Sequence, residues 1–264
     1  MSTPKTMGII NATPDSFYDG GTNNTIKEAT KLAEKHMTDG ATFIDIGGYS
    51  SRPGAKNISE DSEIDRVIPI IKAINKNFPE AIISVDTFRA QVAKAALNEG
   101  ACIINDISAF NIDANLLSII KEFNVPYVLM HMQGDPSNMQ DNPNYENIIK
   151  ELILFFSMKI QHLHQNGIHD VIIDPGFGFG KKLNDNFILL DKINELSILD
   201  KPILAGISRK SMIYKTLETS SLKSLNGTTA LNMIALKNDA KILRVHDIKE
   251  AQECIKLHEQ LSLK

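Results

Sequence analysis

The sequence predicts an α/β protein in which eight parallel strands alternate with helices and close into a single (β/α)8 TIM barrel. Three observations carry this. Eight short aliphatic, β-branched runs recur at a mean spacing of about 34 residues, the length of one strand-helix repeat. Most of the runs are continuously apolar, as strands buried on both faces must be. A polar residue stands at or just past the C-terminal end of nearly every run, where barrel loops converge on one mouth. A doubly wound open sheet shares the alternation, but the count of eight, the 264-residue length and the polar strand ends favour closure.

The strands are expected at 6–10, 42–46, 82–85, 102–105, 126–130, 171–173, 202–206 and 242–245. Their polar ends are Asn11, Asp45, Asp86, Asn105, His131, Asp174, Ser208 and His246. Between them lie eight helical patterns. The box Thr25-Ile26-Lys27-Glu28 reads as the start of the first helix, with Ile26, Ala29, Ala33 and Met37 on one face and Gly40 as its stop. Ile64, Val67, Ile68, Ile71 and Ile74 repeat the helical period, as do Leu116, Leu117, Ile120 and Phe123. A second box, Asp247 to Glu250, opens a helix through Ile248, Ala251, Ile255, His258 and Leu261. DGATFIDIG from Asp39 resembles EGACIINDI from Glu99, each a turn feeding a strand. Segments 11–24, 47–59 and 132–144 are long, while helix-to-strand turns are short. One barrel over 1–264, without a linker, is the expectation.

Composition narrows the function classes. Hydrophobic residues make up 42% and charged residues 23%, an ordinary globular balance. The formal net charge of −4 argues against a nucleic-acid partner. No apolar stretch approaches the ~18 residues of a membrane span. The first residues lack a signal-peptide pattern, and Cys102 and Cys254 form neither a zinc spacing nor a disulfide framework, so a cytoplasmic enzyme is expected.

The chemistry sits in the loops. The first reads N-A-T-P-D-S-F-Y-D-G-G from Asn11 to Gly21, and the second G-G-Y-S-S-R-P-G from Gly47 to Gly54. Loops this long in a compact domain are more often lids than filler. The Gly-rich run from Pro175 to Lys181 is no phosphate loop, because Pro175 replaces its first Gly and Lys182 its Ser/Thr. Its glycines are read as letting backbone approach a ligand closely. His131 has no second His at ligand spacing and is read as structural. Lys210, in S-R-K-S, suits either a Schiff base or donation to a ring carbonyl and nitrogen.

These two loops, with S-V-D-T-F at Ser84, I-I-N-D-I at Ile103, D-P-G-F-G-F-G-K at Asp174, S-R-K-S at Ser208 and R-V-H-D at Arg244, resemble dihydropteroate synthase. The resemblance runs in order over nearly the whole chain. It implies a transferase of folate biosynthesis, and a sulfonamide target, that joins 6-hydroxymethyl-7,8-dihydropterin pyrophosphate to 4-aminobenzoate. It further implies pterin binding by Asp86, Asn105, Asp174 and Lys210, the carboxylate of Asp174 taking paired N–H donors. Pyrophosphate would meet Asn11, Arg52, Arg244 and His246. Aminobenzoate would meet Phe17, Ser51, Arg52, Pro53, Phe179 and Ser211, which opens a helix. Asp86, Lys210, Arg244 and His246 are the implied catalytic set, Asn11 the implied Mg²⁺ ligand, and a homodimer the implied assembly. Two departures stand out: Ser51 where the family commonly has Thr, and Tyr49 where an acidic residue is frequent. The alternatives are a pterin-dependent methyltransferase on the same barrel, or a catalytically silent pterin-binding paralogue.

Overall fold

The computed structural model describes residues 3–13, 21–50 and 57–262. Eight strands form one all-parallel sheet: β1 (Lys5–Asn11), β2 (Phe43–Gly47), β3 (Ile82–Asp86), β4 (Ile103–Asp106), β5 (Tyr127–Met130), β6 (Val171–Asp174), β7 (Leu204–Ala205) and β8 (Ile242–Val245). They run β6-β5-β4-β3-β2-β1-β8-β7, each expected strand falling within about two residues of its predicted place. Ile173 and Ile203 form a single parallel bridge between β6 and the approach to β7, and this closes the barrel. The seam is thin because β7 is only two residues long.

The helices are α1 (Gly21–Thr38), α2 (Glu60–Asn77), α3 (Ala90–Asn98), α4 (Leu116–Phe123), α5 (Ile148–Gln165), α6 (Leu183–Asp191), α7 (Ser211–Thr216), α8 (Leu225–Lys237) and α9 (Ile248–Ser262). That is nine among the described residues instead of the expected eight, because the β7-to-β8 crossover holds both α7 and α8. The helical start at Thr25 is also corrected: α1 begins at Gly21, so Thr25 lies inside it. On α2 the buried face includes Glu63 beside Val67, Ile70, Ile71 and Ile74, leaving Ile64 only half buried. Arg89 neutralises that buried carboxylate at 2.6 Å. No helix among the described residues is long and apolar enough to cross a membrane.

Side chains alternate along each strand between the barrel interior and the helix layer. Ile10, Ile44, Ile46, Val85, Ile104, Leu129, Ile173 and Val245 point outward and join the helices in one continuous core. Met7, Phe43, Ile103, Val128, Ile172, Leu204 and Ile242 point inward and pack on one another as a dry plug. Two residues further along the same strands stand Ile9, Asp45, Asn105, Met130, Asp174, Gly206 and Arg244. This parity step is what positions the site.

Candidate active site

Above the plug the barrel opens into a cavity of about 720 Å³. Its lining includes Asn11, Asp86, Asn105, Asp174, Phe179, Lys210, Ser211, Arg244 and His246, so nine of the thirteen expected site residues meet in one hollow. The other four, Phe17, Ser51, Arg52 and Pro53, lie outside the described residues. A second, shallower hollow of about 530 Å³ between α5 and the turn at Ile198 gathers no comparable set of charged groups.

Arg244 organises the floor. From β8 its Nε donates to Asp45 Oδ2 and its Nη2 to Asp86 Oδ2, both at 2.6 Å. Asn105 on β4 donates to the same Asp45 oxygen at 2.9 Å, so side-chain bonds tie β8, β2, β3 and β4 together. Asp45 is fully buried. The sequence reading named it as a strand end but not as part of the site. Its parity, two residues beyond the plug residue Phe43, was the available signal. Two carboxylates share one guanidinium here. Burial, opposed by Arg244 and reinforced by Asp45, pushes the Asp86 carboxyl up to about 7. Arg244 is correspondingly locked in its charged form, with two of its five N–H donors committed to the floor.

Asp174 ends β6 and is almost fully buried. Its Oδ1 accepts from Gly176 N at 2.7 Å, so the carboxylate makes a local turn as well as facing the cavity. Burial raises its pKa against the opposing pull of Lys210, the Gly176 amide and the more distant cations. Lys210 donates to the Phe177 carbonyl, and its ammonium lies 4.6 Å from the centre of the Phe179 ring. Desolvation lowers Lys210 to about 8, with Asp174 opposing. Beside it Gly206 leaves room, a Cβ there coming 3.8 Å from Asp174 Oδ2 and 3.9 Å from Lys210 Nζ.

At the rim, His246 follows β8 and its Nδ1 meets Ser208 Oγ at 3.0 Å. Burial, with Arg209 and Arg244 nearby, depresses it to about 4, so it is neutral at pH 7. Ser208 Oγ also accepts from the His246 backbone N–H at 3.3 Å, so one hydroxyl engages both the ring and the backbone of His246. Arg209 holds a left-handed φ of +57°. A bidentate pair with Asp247 and bonds to Thr228 and Ser221 offset the strain of that geometry. Asp247 therefore stands just before α9 with its carboxylate engaged by Arg209. Ser211 opens α7 as expected, but that helix has six residues and contributes little dipole.

Thr87 Oγ1 accepts from the Arg89 amide at 3.2 Å, and the N-terminus of α3 is served by Asp113, which accepts from Ala90 N at 2.8 Å. One reading changes. The glycines after β6 serve backbone packing more than ligand approach. A Cβ on Gly176, at φ +69°, would lie 2.0 Å from the His131 carbonyl, and one on Gly180, at φ +57°, 2.6 Å from that of Gln133. Gly178 alone lines the cavity among the three.

Residues 7–246 match the family described as "Pterin binding enzyme". The chain is 43% identical over 261 residues to the dihydropteroate synthase of Escherichia coli (strain K12), covering 98% of this chain and 92% of that protein. It is 41% identical to that of Haemophilus influenzae, covering 97% and 94%. A Yersinia pestis dihydropteroate synthase solved with a sulfonamide drug superposes with a TM-score of 0.94 at 40% identity, covering 100% of this chain and 96% of that one. The Xanthomonas albilineans enzyme in complex with 7,8-dihydropteroate gives 0.89 at 34% identity, covering 99% and 95%.

Proposed function

Because the chain belongs to the dihydropteroate synthases, we propose that it transfers the pterin methylene of 6-hydroxymethyl-7,8-dihydropterin pyrophosphate to the amine of 4-aminobenzoate, releasing pyrophosphate. The observation that carries this reading is the convergence of Asp86, Asn105, Asp174 and Lys210 on one cavity with Arg244 and His246. Asp174 accepts from the 2-amino edge of the pterin, Asn105 and Asp86 meet the remaining ring polar atoms, and Lys210 donates to the ring carbonyl and nitrogen. A Schiff base is not needed by a reaction whose electrophile is a methylene carbon. The ring nitrogens delocalise positive charge as the C–O bond breaks, so the protein's task is electrostatic. Arg244, through its uncommitted N–H groups, and neutral His246, through a ring N–H, take the charge that gathers on the leaving pyrophosphate. The amine of aminobenzoate is already neutral, and attacks without a strong base.

Phe179 borders the aminobenzoate ring and Ser211 its carboxylate; Phe17, Ser51, Arg52 and Pro53 are proposed as further aminobenzoate contacts. Asn11 is proposed to hold Mg²⁺. Among the described residues no group of three or more His, Cys, Asp or Glu forms a metal cage. The Asn11 amide lines the cavity, and one such oxygen fits a cation that takes most of its ligands from phosphate and water. Mg²⁺ bound there would neutralise pyrophosphate charge. A sulfonamide should compete for the aminobenzoate position.

A homodimer is proposed through α6, α7 and α8, which pack side by side and leave Leu183, Ile188, Leu217 and Ile234 exposed at or near their ends and faces. The reaction is placed in the cytoplasm, in keeping with the free cysteines Cys102 and Cys254. The test is turnover: dihydropteroate and pyrophosphate should appear in equal amounts from the two substrates. Methyl transfer from a folate to a corrinoid in place of this would establish the methyltransferase alternative, and binding without either product the silent one.

A further inference from the structure

Between β6 and α6 the chain crosses the cavity wall with no strand beside it, so its backbone groups need other partners. Five consecutive carbonyls find them in side chains. Lys181 Nζ donates to Gly176 O and Phe179 O, each at 3.0 Å. Lys210 donates to Phe177 O, Gln140 to Gly178 O at 2.9 Å, and Tyr145 to Gly180 O at 2.6 Å. The Gly178 amide is taken by Asn186 Oδ1 at 2.6 Å.

Lys181 is the unusual member, a lysine only 4% exposed that faces inward from the turn just before α6. Its ammonium also reaches His131 Nδ1 at 3.0 Å and His131 O at 3.3 Å, joining the β6 turn to the end of β5. We infer that Lys181, with Tyr145, is a positioning residue for the aminobenzoate side of the cavity: it fixes the turn that carries Gly178 and Phe179. Burial lowers its proton affinity while Asp174 raises it, and in turn its charge helps to hold Asp174 ionised. His131 offers its lone pair as a neutral ring, its own pKa depressed to about 2 by burial and by Lys181. This assignment rests on the proposed reaction for its kinetic consequence, but not for its structural one.

Both are measurable on the whole chain. Hydrogen exchange over 175–181 should be about 100-fold faster in Lys181→Met, and about 10-fold faster in Tyr145→Phe, than in the wild type. The KM for 4-aminobenzoate should rise about 10-fold in Lys181→Met with kcat within about threefold, since the chemistry above the floor is intact. Combined with Phe179→Ala, it should add little, because both act through one ring. A folded Lys181→Met protein that exchanges at the wild-type rate, or whose KM effect multiplies with that of Phe179→Ala, overturns the assignment. If Lys181→Met does not fold, wild-type exchange in Tyr145→Phe overturns it instead. A wild type that makes no dihydropteroate would refute the reaction, while the exchange comparison would still decide the clamp.

Discussion

Two residues along the same strands separate two regions of opposite character. Met7, Phe43, Ile103, Val128, Ile172, Leu204 and Ile242 form an apolar plug, with the fully buried Ser84 of β3 paired beside Ile103. One inward step toward the mouth, Asp45, Asn105, Asp174 and Arg244 form a floor in which carboxylates crowd around one guanidinium. The plug gains from burial at about 25 cal/mol per Å². The floor spends part of that gain on desolvated charge, which hydrogen bonds and Arg244 only partly offset. Stability and chemistry are thus separated by a period-2 step rather than by domains.

The largest effect should come where the separation is least clean. Arg244→Met would leave the fully buried Asp45 without a cation, and should cost about 3–5 kcal/mol of folding stability in urea titrations as well as activity. Unchanged stability would show that the burial of Asp45 does not depend on Arg244. Ile172→Ala, in the plug, should lose about 2–4 kcal/mol of stability. Its kinetic constants, measured where it is folded, should stay within about twofold of wild type, because the cavity begins one layer higher. A tenfold change in KM would show that the two layers are coupled.

A smaller effect concerns pH, and sharpens the contrast because the plug holds no titratable group. The unfolded chain protonates His131 below about pH 6.5, whereas the folded protein holds that ring neutral down to about 2. Its folded pKa is depressed, so the stability this confers is present above pH 6.5 and lost as pH falls toward 2, at no more than about 1.4 kcal/mol per pH unit. Between pH 6.5 and 4.5, His131→Gln should show a shallower loss of stability than wild type, while Ile172→Ala keeps the wild-type slope. Equal slopes in all three would place the acid sensitivity elsewhere, for instance at His246 or His36.

The sequence made the barrel legible because buried parallel strands leave unbroken apolar runs; Asp86, Asn105, Asp174 and His246 were legible because they end those runs, and Arg244 through the R-V-H-D motif. Asp45 was read as a strand end but is the middle residue of β2, and its role depends on Arg244 reaching across β1 from β8, a long-range pairing that no local pattern encodes. Lys181 looked like the tail of a Gly-rich motif, since nothing nearby in sequence reveals that its ammonium turns inward to His131, 50 residues away. The start of α1 was misplaced because Thr25 and Glu28 have capping spacing wherever they occur on a helix. The doubled helix between β7 and β8 was hidden by counting one helix per strand.

The claim that the floor reads the pterin while the plug only supports it is tested most directly by calorimetric titration of pterin pyrophosphate into three proteins. Asp174→Asn places an amide NH₂ against a ligand donor. It should weaken binding by about 2–4 kcal/mol without lowering the unfolding midpoint. Ile172→Ala, two residues earlier on β6, should bind as wild type does although it unfolds sooner. Wild-type affinity in Asp174→Asn, or a matching loss of affinity in Ile172→Ala, would contradict the account.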